Sequence, residues 1–181
     1  MPTRVVLTYR EYAALPADGR RYELHDGELF VTAAPGLGHQ RLVGSLFVLL
    51  REHVNARGLG EVFVSPVDCI LSDTTVVQPD VVYLGAGRAS LASARGIEGP
   101  PTLAVEILSP STLAVDRGVK LQLYARYRVP YYWIVNPAAC SVEAYVLTRE
   151  AFQLTGTLAG TERRSLPPFP ELTIDARTLW P

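Results

Sequence analysis

The sequence has little of what disulfide frameworks, thiolate metal sites and membrane spans require. Its two cysteines, Cys69 and Cys140, lie in apolar, strand-like surroundings, so we expect two buried free thiols. No run approaches the roughly 18 apolar residues that a membrane-spanning helix needs. The first residues also lack the apolar core of a signal peptide. These absences predict a cytoplasmic protein that does not enter a membrane.

Charge is scarce and nearly balanced. Charged residues make up 19% of the chain and the formal net charge is −1 at pH 7, which argues against coating of nucleic acid by charge alone. A local basic groove beside an acidic site is compatible with this balance. Lys120 is the chain's sole lysine, and every other basic side chain apart from histidine is an arginine. Because arginine is not deprotonated in proteins, a reaction that needs an amine would have to use Lys120.

Length and local patterns predict one globular domain over residues 1–181, with 48% hydrophobic residues. Thr8 and Glu11 have the spacing of a capping box before a short helix at 9–15, and Asp26-Gly27 predicts a hairpin between 21–24 and 28–32. Further helices are expected at 39–54 and 115–128, and further strands at 61–64, 67–71, 76–84, 103–108, 131–135 and 142–147, with short strands and turns in 151–180. This order predicts an α/β (α+β) fold in which helices flank a mixed β-sheet.

Two carboxylates interrupt apolar strand segments. Asp80 lies within the predicted strand 76–84, and Glu106 shares a strand face with Ala104 and Leu108 because side chains alternate. Aspartate is disfavoured in strands and costly to bury without a partner. If the two strands pair, the carboxylates would repel unless a hard cation such as Mg²⁺ or Mn²⁺ neutralised them. The alternative is that each carboxylate forms a salt bridge of its own or caps a turn.

Five motifs in a fixed order carry a resemblance. They are Tyr22-Glu23-Leu24-His25-Asp26-Gly27-Glu28-Leu29, Gly38-His39-Gln40, Val77-Gln78-Pro79-Asp80-Val81, Val105-Glu106-Ile107-Leu108-Ser109-Pro110-Ser111-Thr112 and Tyr131-Tyr132-Trp133-Ile134-Val135. Over most of residues 20–147 the chain resembles a large bacterial family of restriction-endonuclease-like proteins of unknown specificity, of the PD-(D/E)XK type. The two-carboxylate motif alone is weak evidence, whereas the ordered set is specific.

The resemblance implies a restriction-endonuclease-like mixed sheet and a bound Mg²⁺ or Mn²⁺. Asp80 and Glu106 would hold the metal, helped by the carbonyl of Ile107. Glu28 would be a further ligand, directly or through water, unless it is an ordinary exposed strand glutamate.

The chain departs from the motif at Leu108, which occupies the usual lysine position. The resemblance implies that Lys120, in the following helix, supplies the amine instead. The alternative is an exposed ion pair with Asp116 at i,i+4 spacing.

Other polar residues are weaker candidates. His39 opens the predicted long helix, where it would contact phosphate or orient water, or else cap the helix. Gln78 shares the face of Asp80 by strand alternation, so it would touch substrate or pack. We expect His25 in a turn and His53 on an exposed helix face, both outside the site.

These residues and the resemblance predict a metal-dependent endonuclease that hydrolyses phosphodiester bonds in DNA, with Asp80, Glu106 and Lys120 as catalytic residues. The first alternative is a catalytically silent nucleic-acid-binding or regulatory module that kept the fold. A further alternative is an enzyme acting on a small phosphodiester such as a nucleotide. A homodimer, which would let two copies cut both strands, is compatible with the apolar and aromatic content.

Overall fold

The computed structural model describes residues 5–32 and 34–180, so residues 1–4, 33 and 181 of the predicted domain lie outside the described residues. The single domain over 1–181 stays a prediction. The helices are α1 (Tyr9–Ala13), α2 (Leu37–Arg57) and α3 (Leu121–Arg126), with a π-helical segment at Val115–Lys120 and short 3₁₀ helices at Ala86–Leu91 and Ala176–Thr178.

The strands range from two residues to nine residues in length. They are β1 (Arg21–His25), β2 (Glu28–Thr32), β3 (Gly60–Val64), β4 (Cys69–Ser72), β5 (Thr75–Val77), β6 (Val81–Gly85), β7 (Ala92–Ser93), β8 (Gly96–Ile97), β9 (Leu103–Ile107), β10 (Tyr131–Asn136), β11 (Ser141–Thr148), β12 (Ala151–Ala159), β13 (Arg163–Arg164) and β14 (Ile174–Asp175). The segment 151–180 therefore contains a nine-residue strand, β12, which is longer than the short strands that the sequence predicts there.

The central element is a six-stranded sheet in the order β12-β11-β10-β9-β6-β3. Strands β9 and β10 run parallel, whereas the other neighbours are antiparallel, so the predicted mixed sheet is confirmed. A second six-stranded sheet has the order β2-β1-β5-β4-β8-β7, and β13 pairs with β14. The helix that links β9 to β10 provides the crossover that a parallel pair requires.

Both faces of the central sheet are covered. Helix α2 packs Leu46 and Leu50 onto one face, where Leu103, Val105 and Ile107 of β9 also point. The other face packs against α3 and residues of the second sheet through a cluster that includes Ala104, Leu108, Leu123, Tyr124, Cys69 and Val77. All five residues of β9 are buried for this reason, so the polar side chain of Glu106 must find partners inside the protein.

The predicted strand 76–84 is wrong in one respect, because it is two strands in two sheets. Strand β5 belongs to the second sheet and β6 to the central sheet, and residues 78–80 carry the chain between them. Pro79 has no N–H to donate to a ladder, which favours a break at this point.

The predicted helix 115–128 is also irregular. It begins as the π-helical turn Val115–Lys120 and continues as α3. Within the part of the chain that the structure describes, no helix combines the length and apolarity needed to cross a membrane.

Candidate active site

Asp80 and Glu106 meet on the α3 face of the central sheet. The antiparallel register pairs Val81 with Val105, and extending it by one residue sets Asp80 opposite Glu106. The main-chain nitrogen of Ile107 donates to Asp80 Oδ2 at 2.8 Å. Both carboxylates are only 3% exposed. The structure therefore brings together the two residues that interrupt the apolar strands.

Asp80 is surrounded by cationic and hydrogen-bonding partners. Arg21 Nη1 donates to Oδ1 at 3.0 Å, and His39 Nε2 lies 3.1 Å from Oδ2. Burial raises the pKa of Asp80, but His39, Arg21 and the Ile107 amide outweigh burial and leave the pKa below its usual value. Asp80 is thus held as a carboxylate. The His39 side chain contacts this carboxylate instead of capping helix α2.

Glu106 has a different environment. Its Oε1 accepts hydrogen bonds from Lys120 Nζ at 2.9 Å and from the Tyr124 hydroxyl at 2.7 Å. Burial, joined by the negative charges of Asp116, Asp80 and Glu23, raises the pKa of Glu106 well above its usual value despite Lys120. Both of these hydrogen bonds end on Oε1 of the carboxyl group.

Glu23 is a site residue that sequence reasoning missed. Its Oε1 accepts hydrogen bonds from Lys120 Nζ at 2.9 Å and from the main-chain nitrogen of Gln78 at 2.7 Å. Its Oε2 lies 3.1 Å from His25 Nε2. Burial raises the pKa of Glu23, but Lys120 and His25 outweigh it and hold the pKa below the usual value. A signal was available, because Arg21, Glu23 and His25 alternate along one face of β1.

Lys120 lies between three carboxylates. Its Nζ is 2.9 Å from both Glu23 Oε1 and Glu106 Oε1, and 3.7 Å from Asp116 Oδ1. Burial lowers the pKa of Lys120, but the three carboxylates outweigh burial and raise it. The alternative of an exposed Asp116–Lys120 pair is wrong, because the two residues are 2% and 5% exposed. Both lie in the π-helical turn, a rare conformation that is frequent at functional sites.

The charged side chains line a cavity of about 370 Å³. Its walls include Arg21, Glu23, His25, Phe30, His39, Asp80, Glu106, Ile107, Ser109, Ser111, Thr112, Asp116 and Lys120. Among these, Arg21 Nε, His25 Nδ1 and His39 Nδ1 are buried and have no hydrogen-bond partner within residues 5–32 and 34–180. Unsatisfied buried nitrogens are uncommon in folded proteins, and they are typical of sites that hold a ligand or water.

Two histidines differ from their predicted positions. His25 is not in a turn but at the end of β1, where it is buried, lines the cavity and stacks on Phe30 with 4.3 Å between ring centroids. His53 is not on an exposed face, because it is buried against the edge of Phe169.

Gln78 and Glu28 are not brought to the cavity. Gln78 Nε2 donates to Asp68 Oδ1 at 2.8 Å and to the Tyr12 hydroxyl at 3.3 Å, because residues 78–80 lie between strands and do not follow strand alternation. Glu28 is exposed on β2 and is not among the cavity-lining residues. Glu23, five residues earlier, occupies the cavity instead.

The donor set fits a hard divalent cation. Four buried carboxylates, of Glu23, Asp80, Glu106 and Asp116, outnumber the permanent cations Arg21 and Lys120 among the cavity-lining residues. Over residues 5–32 and 34–180, no three His, Cys, Asp or Glu side chains are grouped so as to hold a metal ion by themselves. Two carboxylates with a main-chain carbonyl and water would complete an oxygen shell, which suits Mg²⁺ or Mn²⁺.

Comparison with protein families gives a match that spans the site and the sheets. The family described as "Uma2: Putative restriction endonuclease" matches residues 9–177. The chain belongs to the Uma2 family. This membership covers every element from α1 to the last 3₁₀ turn apart from its final residue.

A solved structure agrees with the fold of this Uma2 chain. It is a crystal structure described as "a putative nuclease belonging to DUF820 from Anabaena variabilis ATCC 29413". The TM-score is 0.79 at 18% sequence identity, and the match covers 96% of this chain and 97% of the other. At this identity the likeness shows a shared fold. A comparison with curated proteins finds no match.

Proposed function

We propose that this Uma2 chain is a metal-dependent endonuclease that hydrolyses phosphodiester bonds in DNA, with Mg²⁺ or Mn²⁺ at Asp80 and Glu106. The description of the family as a restriction endonuclease and the fold shared with a protein described as a nuclease support this proposal. The observation that carries it is the opposition of Asp80 and Glu106 in a cavity that also holds the chain's only lysine.

Each residue has a role that its contacts support. Asp80 and Glu106, with the carbonyl of Ile107, would hold the cation, and Arg21 fixes the orientation of the Asp80 carboxylate. A bound divalent cation supplies stabilisation of charge on the phosphate and lowers the pKa of water. Lys120, held as an ammonium by three carboxylates, orients the attacking water and offsets negative charge near the phosphate rather than accepting a proton.

His39 and His25 would face the substrate side of the cavity. Each uses Nε2 for a carboxylate and, within the described residues, has a buried Nδ1 without a hydrogen-bond partner, so a water or phosphate that reached Nδ1 would satisfy it. Glu28 and Gln78 receive no role here, because neither belongs to the cavity lining.

The test is a cleavage assay on plasmid and single-stranded DNA with Mn²⁺ or Mg²⁺. Wild type is compared with Asp80→Asn, Glu106→Gln and Lys120→Ala, and with Glu143→Gln, a carboxylate that pairs with Arg117 outside the cavity. We expect cleavage by wild type and Glu143→Gln, and a loss of at least about 100-fold in the three site variants. Cleavage retained by folded Glu106→Gln protein would refute the assignment.

The second candidate is a catalytically silent module that binds nucleic acid. The observation that favours it is the saturation of Asp80, whose two oxygens already meet Arg21, His39 and the Ile107 amide. Binding of DNA without turnover in either metal would support this candidate. The predicted homodimer stays a prediction under both.

A further inference from the structure

Lys120 has two equivalent partners, and one of them is a proposed metal ligand. The ammonium lies 2.9 Å from Glu106 Oε1 and 2.9 Å from Glu23 Oε1. A divalent cation that binds Glu106 must approach this ammonium, and like charges repel strongly where burial limits screening by water. Metal binding therefore depends on where Lys120 can go.

Glu23 is held in a fixed position from which it pairs with the Lys120 ammonium. It lies in the middle of β1, which pairs with β2 on one side and β5 on the other, so its main chain is fixed. The main-chain nitrogen of Gln78 donates to Glu23 Oε1 and His25 Nε2 contacts Oε2, so both carboxylate oxygens are oriented. Asp116 Oδ1, 3.7 Å from the ammonium, offers a second hold on the side of the π-helical turn.

We propose that Glu23 is a positioning residue that retains Lys120 when a divalent cation displaces the ammonium from Glu106, so that Glu106 can bind the cation. This inference rests on the metal site of the proposed function. Glu23 acts through Lys120 and is not itself a metal ligand. With the cation bound, Lys120 would pair with Glu23, and Glu106 would pair with the metal.

The inference makes the effect of Glu23 depend on Lys120. In Glu23→Gln the ammonium keeps Glu106 as its strongest neighbour, so Mn²⁺ affinity should fall by about 10–100-fold, the usual range for groups that support metal ligands. When Lys120→Met has removed the ammonium, the same Glu23→Gln change should alter Mn²⁺ affinity by no more than about threefold, because no competitor remains. A direct ligand role would instead give the full loss in both backgrounds.

The experiment is Mn²⁺ titration calorimetry on wild type, Glu23→Gln, Lys120→Met and the double variant. Glu143→Gln is the matched control, since it removes a carboxylate that is paired with Arg117 outside the cavity. Circular dichroism checks that each variant is folded. If Glu23→Gln does not fold, Glu23→Asp keeps the charge but shortens its reach, and an affinity loss that disappears in the Lys120→Met background is expected there too.

Each outcome bears on a different statement. A loss in Glu23→Gln that vanishes with Lys120→Met supports the positioning role. An equal loss in both backgrounds, or unchanged affinity in Glu23→Gln, overturns this inference and leaves the metal site intact. Absence of Mn²⁺ binding by wild type overturns the metal site of the proposed function and the inference with it.

Discussion

The main-chain nitrogen of Ile107 donates a hydrogen bond to Asp80 Oδ2 over 2.8 Å. This bond connects Asp80, which lies in the segment between the two sheets, with the end of β9 next to Glu106. Because the donor belongs to the backbone of a buried strand, Asp80 is oriented by the sheet itself. The position of this carboxylate therefore depends on the pairing of β6 with β9 as well as on the side chains of Arg21 and His39.

Divalent cation should stabilise the protein only while Glu106 is intact. At a Mn²⁺ concentration of 100 times the dissociation constant, binding adds about 2.7 kcal/mol. For a chain of this size that corresponds to a rise in Tm of about 5–10 °C. Glu106→Gln should show no such rise, as measured by differential scanning calorimetry with Mn²⁺ or EDTA. An equal rise in Glu106→Gln would mean that the cation binds elsewhere.

Loss of the buried ammonium should destabilise the metal-free protein. In Lys120→Met the Glu23 and Glu106 carboxylates lose their shared partner, and breaking a buried ion pair costs on the order of 3 kcal/mol. The expected fall in Tm in EDTA is about 6–12 °C. Arg126→Met, which removes an exposed pair with Asp26, is the control and should cost less than about 1 kcal/mol. Similar falls in both variants would argue against a central role for Lys120 in the buried charge network.

Gln78 should matter for stability rather than for the metal. Gln78→Ala removes the hydrogen bonds to Asp68 and Tyr12, whereas the bond from the Tyr12 hydroxyl to Asp68 remains, so the free energy of unfolding should fall by about 1 kcal/mol. Mn²⁺ affinity should stay unchanged, and exposed Gln153→Ala should affect neither quantity. Urea denaturation and calorimetry measure the two effects. Weaker DNA binding with unchanged stability would instead support the contact between Gln78 and substrate that strand alternation predicts.

The two thiols should differ in reactivity. Cys69 is fully buried, and burial, reinforced by Asp68, raises the pKa of its thiol well above the usual value. At pH 8 its thiolate is therefore scarce, whereas Cys140 is only half-buried. Under native conditions a thiol reagent should react quickly with about one equivalent. That reaction should disappear in Cys140→Ser and persist in Cys69→Ser. Rapid labelling of Cys69 in native protein would contradict the burial.

Local sequence patterns determined the elements that carry a strong periodic or turn signal. The capping box of Thr8 and Glu11 begins α1, the Asp26-Gly27 hairpin joins β1 and β2, and the apolar spacing at 39–54 lies within α2. The sequence also indicated that Asp80 and Glu106 are site residues, because a charged residue inside an apolar strand must have a buried partner.

Long-range pairing decided what the sequence left open. The apolar run 76–84 has one strand period, yet its halves join different sheets, and this displaces Gln78 from the site. Glu28 and Glu23 are both strand glutamates near the hairpin, and only the packing of β1 against the π-helical turn brings Glu23 to Lys120.

The sequence by itself therefore determined the kinds of element and the carboxylates that had to be accommodated, because hydrophobic periodicity and the cost of buried charge are local properties. Only the tertiary structure decided that Lys120 meets Glu23 as well as Glu106. Glu23 and Lys120 are 97 positions apart in the sequence, and their distance in space depends on sheet order and on the π-helical turn.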